Sequence, residues 1–271
     1  MKKILLPLAA LVTVQLANAQ MKEGKVVYEG VTQFNFRVMG GADMPNLPKS
    51  QTKQYELLFG NNQSLWQPLP DMKEEANQMN PTQGGPMVNF VRIGGADAVV
   101  YHNFEANKRV SERELSAKNY IVEDQITKLD WKMTEETKSI LGHKVFKAKA
   151  ERISTRTVMS MENGETSRKT VPDTSRIVAW FAADIPVPAG PDFQGQLPGL
   201  IMELDINNGR TVYTAVELSP KVSLSSIKQP KNGKKVSGDE FAKQQQKVFE
   251  EMQQNRMVVP GGGQRITITG Q

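Results

Sequence analysis

Two histidines, His102 and His143, and no cysteine in 271 residues restrict the chemistry open to this chain. Without a thiol it can build no disulfide, thiolate nucleophile, Cys-based zinc site, iron–sulfur cluster or c-type haem attachment. Two imidazoles also exclude a three-histidine metal site, and a Ser-His-Asp triad would have to draw on His102 or His143. Ser50-x-x-Lys53 and Ser225-x-x-Lys228 have the spacing of a Ser-Lys nucleophile, but the S-D-N and K-T-G partners of that machinery are missing. Glu74-Glu75 and Glu135-Glu136 are adjacent carboxylates. Neighbours in a strand point to opposite faces, so each pair reads as a solvated surface and not as an acid–base pair. His143 follows a turn glycine and reads as a surface residue. His102, between Tyr101 and Phe104 in a strand-like run, is the better imidazole candidate.

Methionine supplies the sharper alternative. Of thirteen, Met39, Met44, Met72, Met79 and Met87 fall in two irregular stretches where a core role is hardest to argue. Thioethers are soft ligands suited to Cu(I), so these five with His102 define a metal-handling reading. Their spacing is irregular and contains no M-x-x-M series, which fits adaptable packing or partner contact more simply.

The N-terminal segment concerns targeting. Lys2 and Lys3 form a positive start, residues 4–16 an apolar run of about 13 residues, and Ala17-Asn18-Ala19 an A-x-A cleavage site. The run is shorter than the ~20 residues that span a bilayer, so it reads as a cleaved secretory signal and not as an anchor. No cysteine is present to carry lipoprotein acyl chains. The expectation is an exported protein, cleaved after Ala19, periplasmic or outer-membrane-associated, with no transmembrane segment. Cleavage removes two lysines and no acid, lowering the formal net charge from +5 to +3. With lysines alternating with acids along the strands, nothing argues for a nucleic-acid partner.

The elements that must position any site are mostly strands. Residues 25–37 alternate with period two, residues 54–59 and 63–69 flank Gly60-Asn61-Asn62 as a hairpin, and residues 97–104 and 108–115 suggest a second. Further runs at 120–122, 129–137, 144–153, 157–161 and 165–171 follow, with Leu141-Gly142 and Asn163-Gly164 as turns. Residues 177–185 form a more uniformly apolar, central strand. Residues 70–87 are polar and rich in breakers. This pattern predicts a mainly β chain, an antiparallel sheet curled into an open or half barrel.

Leu197-Pro198-Gly199-Leu200 fits a type II turn, with proline presetting φ and glycine taking positive φ. It leads into a hairpin around Asn207-Asn208-Gly209 for which two registers compete. A two-residue loop pairs Leu204 with Tyr213 and Asp205 with Val212. A three-residue loop with a G1 bulge pairs Leu204 with Val212, Met202 with Thr214 and Leu200 with Val216. The second puts one apolar set on one face and is preferred here. Near the end, Ser237 and Glu240 form a capping box, and Phe241, Val248 and Met252 give a helix over residues 238–257 that ends before Pro260. The organisation is therefore 1–19 signal peptide, 20–227 antiparallel β domain, and 228–271 basic linker, C-terminal helix and Gly-rich tail.

Residues 185–204, IPVPAGPDFQGQLPGLIMEL, resemble the GLPGLI family of exported Bacteroidota proteins. The matching residues are Trp180, Phe181, Ile185-Pro186, Gly190-Pro191 and Leu197-Pro198-Gly199-Leu200-Ile201, with Gln196 replacing the first motif glycine. Upstream, Trp131 and the stretch 140–148 look like the family's W…I-x-G-Y-x-C-x-K-A segment, with Val145 where many members carry cysteine. The family is defined by its motif and not by a demonstrated reaction, so the resemblance implies no catalytic residue and no cofactor. It implies an envelope protein linked to outer-membrane transport, with a transporter or other envelope protein as partner. By analogy with periplasmic lipoprotein carriers, an apolar or peptide ligand would sit on the concave face of the sheet. The turn-forming prolines and glycines would brace the sheet, while Trp180 and Phe181 fill its core.

Overall fold

The computed structural model describes residues 20–33, 49–70, 98–162 and 165–256. The segment read as a signal sequence, both methionine-bearing stretches, the expected Asn163-Gly164 turn and the Gly-rich tail lie outside the described residues. Alternation becomes structure directly in β1 (Gly24–Gln33), where Val26 and Tyr28 are fully buried and Glu29 is exposed. It is followed by β2 (Ser50–Gly60), β3 (Gln63–Pro68), β4 (Val99–Asn103), β5 (Lys108–Leu115) and β6 (Lys118–Gln125). The chain continues with β7 (Lys132–Ile140), β8 (His143–Glu162), β9 (Glu165–Ala182), β10 (Leu200–Ile206), β11 (Thr211–Ser219) and β12 (Lys234–Ser237). A short 3-10 turn at Leu224–Ser226 aside, the one α-helix among the described residues is α1 (Gly238–Arg256). It is not long and apolar enough to cross a membrane.

All twelve strands join one sheet in the order β12-β6-β5-β4-β3-β2-β1-β11-β10-β9-β8-β7, antiparallel except for the parallel β12–β6 pair. The sheet is therefore mixed, and Lys234–Ser237, read as part of a linker from the sequence, is its edge strand. Laid flat, the ten steps from β6 to β7 would span about 48 Å at ~4.8 Å each. Only residues 126–131 connect those strands, and fully extended they reach about 25 Å. The sheet must curl into a half barrel, and it stays open because β12 and β7 do not pair.

A strap, residues 183–199, fills the inside of the curve. Ile185, Val187, Ala189, Phe193 and Leu197 bury there against Val26, Tyr28, Leu57, Trp66, Ala179, Phe181 and Leu204. Prolines 186, 188 and 191 cannot donate a backbone hydrogen bond, which keeps the strap from joining the sheet as a strand. The donors between them fold back locally instead, Val187 N to Ile185 O at 2.7 Å and Ala189 N to Val187 O at 2.8 Å, in γ-turn fashion. The expected strand over 177–185 therefore stops at Ala182, and Ile185 belongs to the strap.

Helix α1 begins with the capping box read from the sequence. Glu240 N donates to Ser237 Oγ at 3.3 Å, and Ser237 N donates to Glu240 Oε2 at 2.9 Å. Phe241 docks on Tyr120 and Val122, with ring centroids 5.4 Å apart for Phe241 and Tyr120. The outer face carries a smaller core of Leu58, Leu65, Tyr101, Val110 and Ile121, covered by Ile227.

Three local expectations are corrected. The runs 144–153 and 157–161 form one strand, β8, and beyond Glu151 and Arg176 strands β8 and β9 pair only with each other as a projecting ribbon. The β10–β11 hairpin takes the other register, with Leu204 opposite Tyr213 and Asp205 opposite Val212. Tyr213 and Ala215 are the inward residues of β11, and Val216 is 44% exposed. Two bulges account for this. Met202 is the extra residue of β10 against β9, and Val216 is the extra residue of β11 against β1, so period-two counting across either one assigns the wrong face. The third correction concerns Gly199, which does not adopt a positive φ. Its glycine is required by close approach, since a Cβ there would lie 2.2 Å from Ala182 O.

Candidate functional site

Four aromatic rings pack together in the buried core that the strap helps to fill. Tyr55 and Trp66 stack at 4.9 Å and 18°, Tyr213 meets both edge-on at 5.6 and 5.7 Å, and Tyr28 lies 5.3 Å from Trp66. This nest sits on Gly30, where a Cβ would come within 2.7 Å of the Tyr55 ring. Tyr28 OH donates to the Ile201 carbonyl at 2.6 Å, tying the floor of the sheet to the start of β10.

Asp192, at φ 50°, is the charged tip of the strap. It is exposed to solvent; desolvation raises its carboxyl pKa, while Arg109, Arg152 and Arg113 pull it back down. The Asp192 charge also helps to raise the Tyr213 hydroxyl, after the larger effect of burial. Arg109 and Arg113 come from β5 and Arg152 from β8, eight strands away in the sheet, about 38 Å apart if it were flat. The curl brings them within electrostatic reach of one carboxylate. Register puts Arg109, Ser111 and Arg113 on the same face as Val100 and His102. Each guanidinium is differently held. Arg109 Nη1 lies 3.9 Å from Asp124 Oδ2; Arg113 Nε donates to Ser111 Oγ at 3.2 Å with its carbon 5.4 Å over the Phe241 ring; Arg152 sits 5.8 Å over Phe193.

Deeper in, polar side chains hold the strap. Ser64 Oγ donates to Gln194 Oε1 at 2.6 Å. Gln196 Oε1 accepts from Leu129 N at 2.9 Å and from Trp131 Nε1 at 3.0 Å. Opposite Ser64 stands His102, 2% exposed, with its ring 6.1 Å from Phe104 and no hydrogen-bond partner for Nδ1. Burial, with help from Arg109, holds its pKa at about 3, so it is neutral at physiological pH.

The residues singled out from sequence fall into separate places. Phe181, Leu197, Leu200 and Ile201 are buried under or beside the strap, and Gly190 must be small because a Cβ would lie 2.5 Å from that of Ile201. Pro191 is buried, whereas Pro186 and Pro198 are exposed. Trp180 alternates away from Phe181 and packs against the edge of the core instead of inside it. Half-buried, it lies between Lys138 and Lys147, whose Nζ atoms are 4.4 and 5.3 Å from its ring. Lys138 also pairs with Glu203 at 2.7 Å, and Lys147 with Glu136 at 2.6 Å. Val145 is fully buried, so a valine fills the position where the resemblance expects a thiol. Of the metal-handling set, Met39, Met44, Met72, Met79 and Met87 lie outside the described residues. Among the described residues no three His, Asp or Glu side chains group as a metal site.

The nucleophile patterns do not assemble. Ser50 and Lys53 lie three apart in β2 and so face opposite ways, and Ser225 Oγ meets Ser223 Oγ at 2.9 Å. His143 Nδ1 contacts Asp184 Oδ2 at 2.7 Å on the surface. The arginine set was missed in the sequence because its members are scattered over 44 positions and only the curl gathers them. The one available signal was Asp192-Phe193 in the middle of the proline-rich segment.

A family model described as "Protein of unknown function (Porph_ging)" matches residues 131–203. No curated protein matches the chain. Among solved structures, "Structure of PNGF-II in C2 space group" is similar at 17% identity and TM-score 0.49, over 83% of this chain and 33% of that one. "Structure of PNGF-II in P21 space group" is similar at 18% identity and TM-score 0.49, over 84% and 34%. The chain thus spans about a third of the length of the solved structures it matches.

Proposed function

We propose that this chain is an exported GLPGLI-family binding protein of the cell envelope, which takes a ligand at the open end of its half barrel and serves outer-membrane transport without catalysing a reaction. The observation that carries this reading is a twelve-stranded sheet left open at its edges, its apolar face filled by the strap 183–199 with the exposed Asp192 on it. The same site offers no nucleophile with a base. Ser64 donates to an amide oxygen, and the Nδ1 of His102 has no partner. The strap already occupies the apolar concave face, which moves the ligand from the middle of the sheet to the mouth. In support of the family, the matched span 131–203 contains every residue on which the GLPGLI resemblance rests.

The test is expression of the tagged full-length chain in a Bacteroidota host, with N-terminal sequencing and cross-linked recovery from envelope fractions. The expected result is a mature chain starting at Gln20 that recovers an outer-membrane transporter reproducibly. An unprocessed chain in the cytosol, or recovery of no envelope protein, would overturn the reading.

A further inference from the structure

The ribbon of β8 and β9 runs for twelve residue pairs, from Glu151 opposite Arg176 to Glu162 opposite Glu165, and no third strand pairs with it on either side. At ~3.3 Å per residue it reaches about 40 Å from the body of the sheet. A two-stranded ribbon is marginally stable in water and gains stability from each strand added to it. Along its edges it also presents the backbone N–H and C=O groups that a further strand would use.

The two edges differ. On the β9 side Asn207 covers the base of the ribbon, its N donating to Arg176 O at 2.8 Å and its Oδ1 accepting from Arg176 N at 3.0 Å. Further out on that side, Pro172 has no N–H to offer an added strand. On the β8 side, residues 151–155 contain no proline and keep an unbroken register with β9, and Ile153 among them is 79% exposed. No other large apolar side chain among the described residues is as exposed. The terminal strands of the sheet are guarded by comparison. Strand β7 breaks register between Met133 and Thr137 and carries Lys132, Glu135, Glu136 and Lys138, and β12 has four residues of which two are lysines.

The β8 edge is complementary to itself. Where two such ribbons join antiparallel about a two-fold axis and continue one sheet, residues directly opposite share a face. Centring the pair on Glu151 opposes two carboxylates, and centring it on Arg152 opposes two guanidinium groups. Centring on Ser154 sets Arg152 against Arg156, and centring on Thr155 leaves Ile153 opposite Thr157. Of these registers only the one centred on Ile153 sets the apolar side chain against its own copy without opposing like charges, with Arg152 opposite Ser154 and Glu151 opposite Thr155.

We infer that the occupant of this edge is a second copy of the chain, the two β8 strands pairing antiparallel at Ile153 so that two two-stranded ribbons become one four-stranded sheet. The surface lies outside the trough, so the inference stands or falls separately from the ligand reading above.

The experiment is sedimentation velocity of the mature chain over a wide range of concentration, together with oxidative cross-linking of Ile153→Cys in a chain that has no cysteine of its own. The expected result is a reversible monomer–dimer equilibrium. Ile153→Lys weakens it by about tenfold or more, because two ammonium groups then face each other, while Ile153→Val keeps it. Opposite residues of an antiparallel pair lie ~4.5–5.5 Å apart at Cα, within reach of a disulfide. Ile153→Cys should therefore cross-link rapidly into a dimer, and Met133→Cys, exposed on the guarded β7 edge, should not. Near-ultraviolet dichroism equal to the parent's confirms that each variant keeps the fold. A monomer at every concentration, a dimer indifferent to Ile153→Lys, or equal cross-linking at both positions would overturn the inference. A monomeric chain whose recovery of an envelope protein is lost in Ile153→Lys would assign the edge to that protein and overturn the second copy as its occupant.

Discussion

Gln196 stands where the GLPGLI motif has its first glycine, and its side-chain oxygen accepts hydrogen bonds from Trp131 Nε1 at 3.0 Å and from Leu129 N at 2.9 Å. The departure from the motif thus ties the strap to the link between the two ends of the sheet. Trp131 also meets Phe193 edge-on at 6.0 Å, so the same contact steadies the strap next to Asp192.

Gln196→Gly should therefore lower stability by about 1–3 kcal/mol, because two donors lose their acceptor and the strap gains backbone freedom. Urea denaturation followed by the fluorescence of the three tryptophans measures it. An unchanged midpoint would show that the link holds without Gln196.

Tyr28→Phe removes the hydroxyl donor to the carbonyl of the buried Ile201. The expected loss is about 1–3 kcal/mol with the aromatic nest kept, so the near-ultraviolet dichroism of the rings should persist while the thermal midpoint falls. A midpoint equal to the parent's would show that the hydroxyl contributes nothing net.

Gly199→Ala places a methyl against the Ala182 carbonyl, an atom that cannot turn aside. A destabilisation of about 1–3 kcal/mol is expected, from shifting the start of β10. Gly209→Ala meets no atom within 4 Å and is strained only through its φ of 86°, so the pair separates steric from backbone cost. Because the atoms nearest Gly199 are all backbone, truncating neighbouring side chains should not rescue Gly199→Ala, and its urea midpoint should fall further than that of Gly209→Ala; equal midpoints would show that the close approach costs nothing.

His102 makes stability depend on pH. Its pKa is about 3 in the fold against an ordinary value of 6.5, so the unfolded chain binds the proton more readily. Its contribution is fully present above the unfolded value and declines as the pH falls from about 6.5 toward about 3. His102→Leu should remove that dependence. Urea midpoints taken from about pH 8 down to about pH 4 would show the parent losing more stability than the variant. Parallel curves would show that the imidazole is not buried as a neutral group.

Much of the local structure was legible before any fold was known. Ser237 and Glu240 cap α1 through contacts three residues apart, which a sequence shows directly. Alternation identified β1, and the breakers Gly60-Asn61-Asn62 located the turn of the β2–β3 hairpin. The errors are of another kind. The β10–β11 register turned on bulges at Met202 and Val216, each defined only against a neighbouring strand. Trp180 was assigned to the core beside Phe181, although adjacent residues of a strand cannot both face it.

By itself the sequence determined what depends on composition and short range: a chain without thiol chemistry, rich in strands, closed by a capped helix, with a proline-rich segment that cannot form a central strand. Tertiary structure decided the rest, because the curl of the sheet is set by how strands far apart in the chain pack around the strap. Arg113 and Arg152 are 39 residues apart and would sit far across a flat sheet. Only six residues, 126–131, join β6 to β7 at the other end of the sheet, so the curl that brings those strands toward each other is a property of the fold and not of any local stretch.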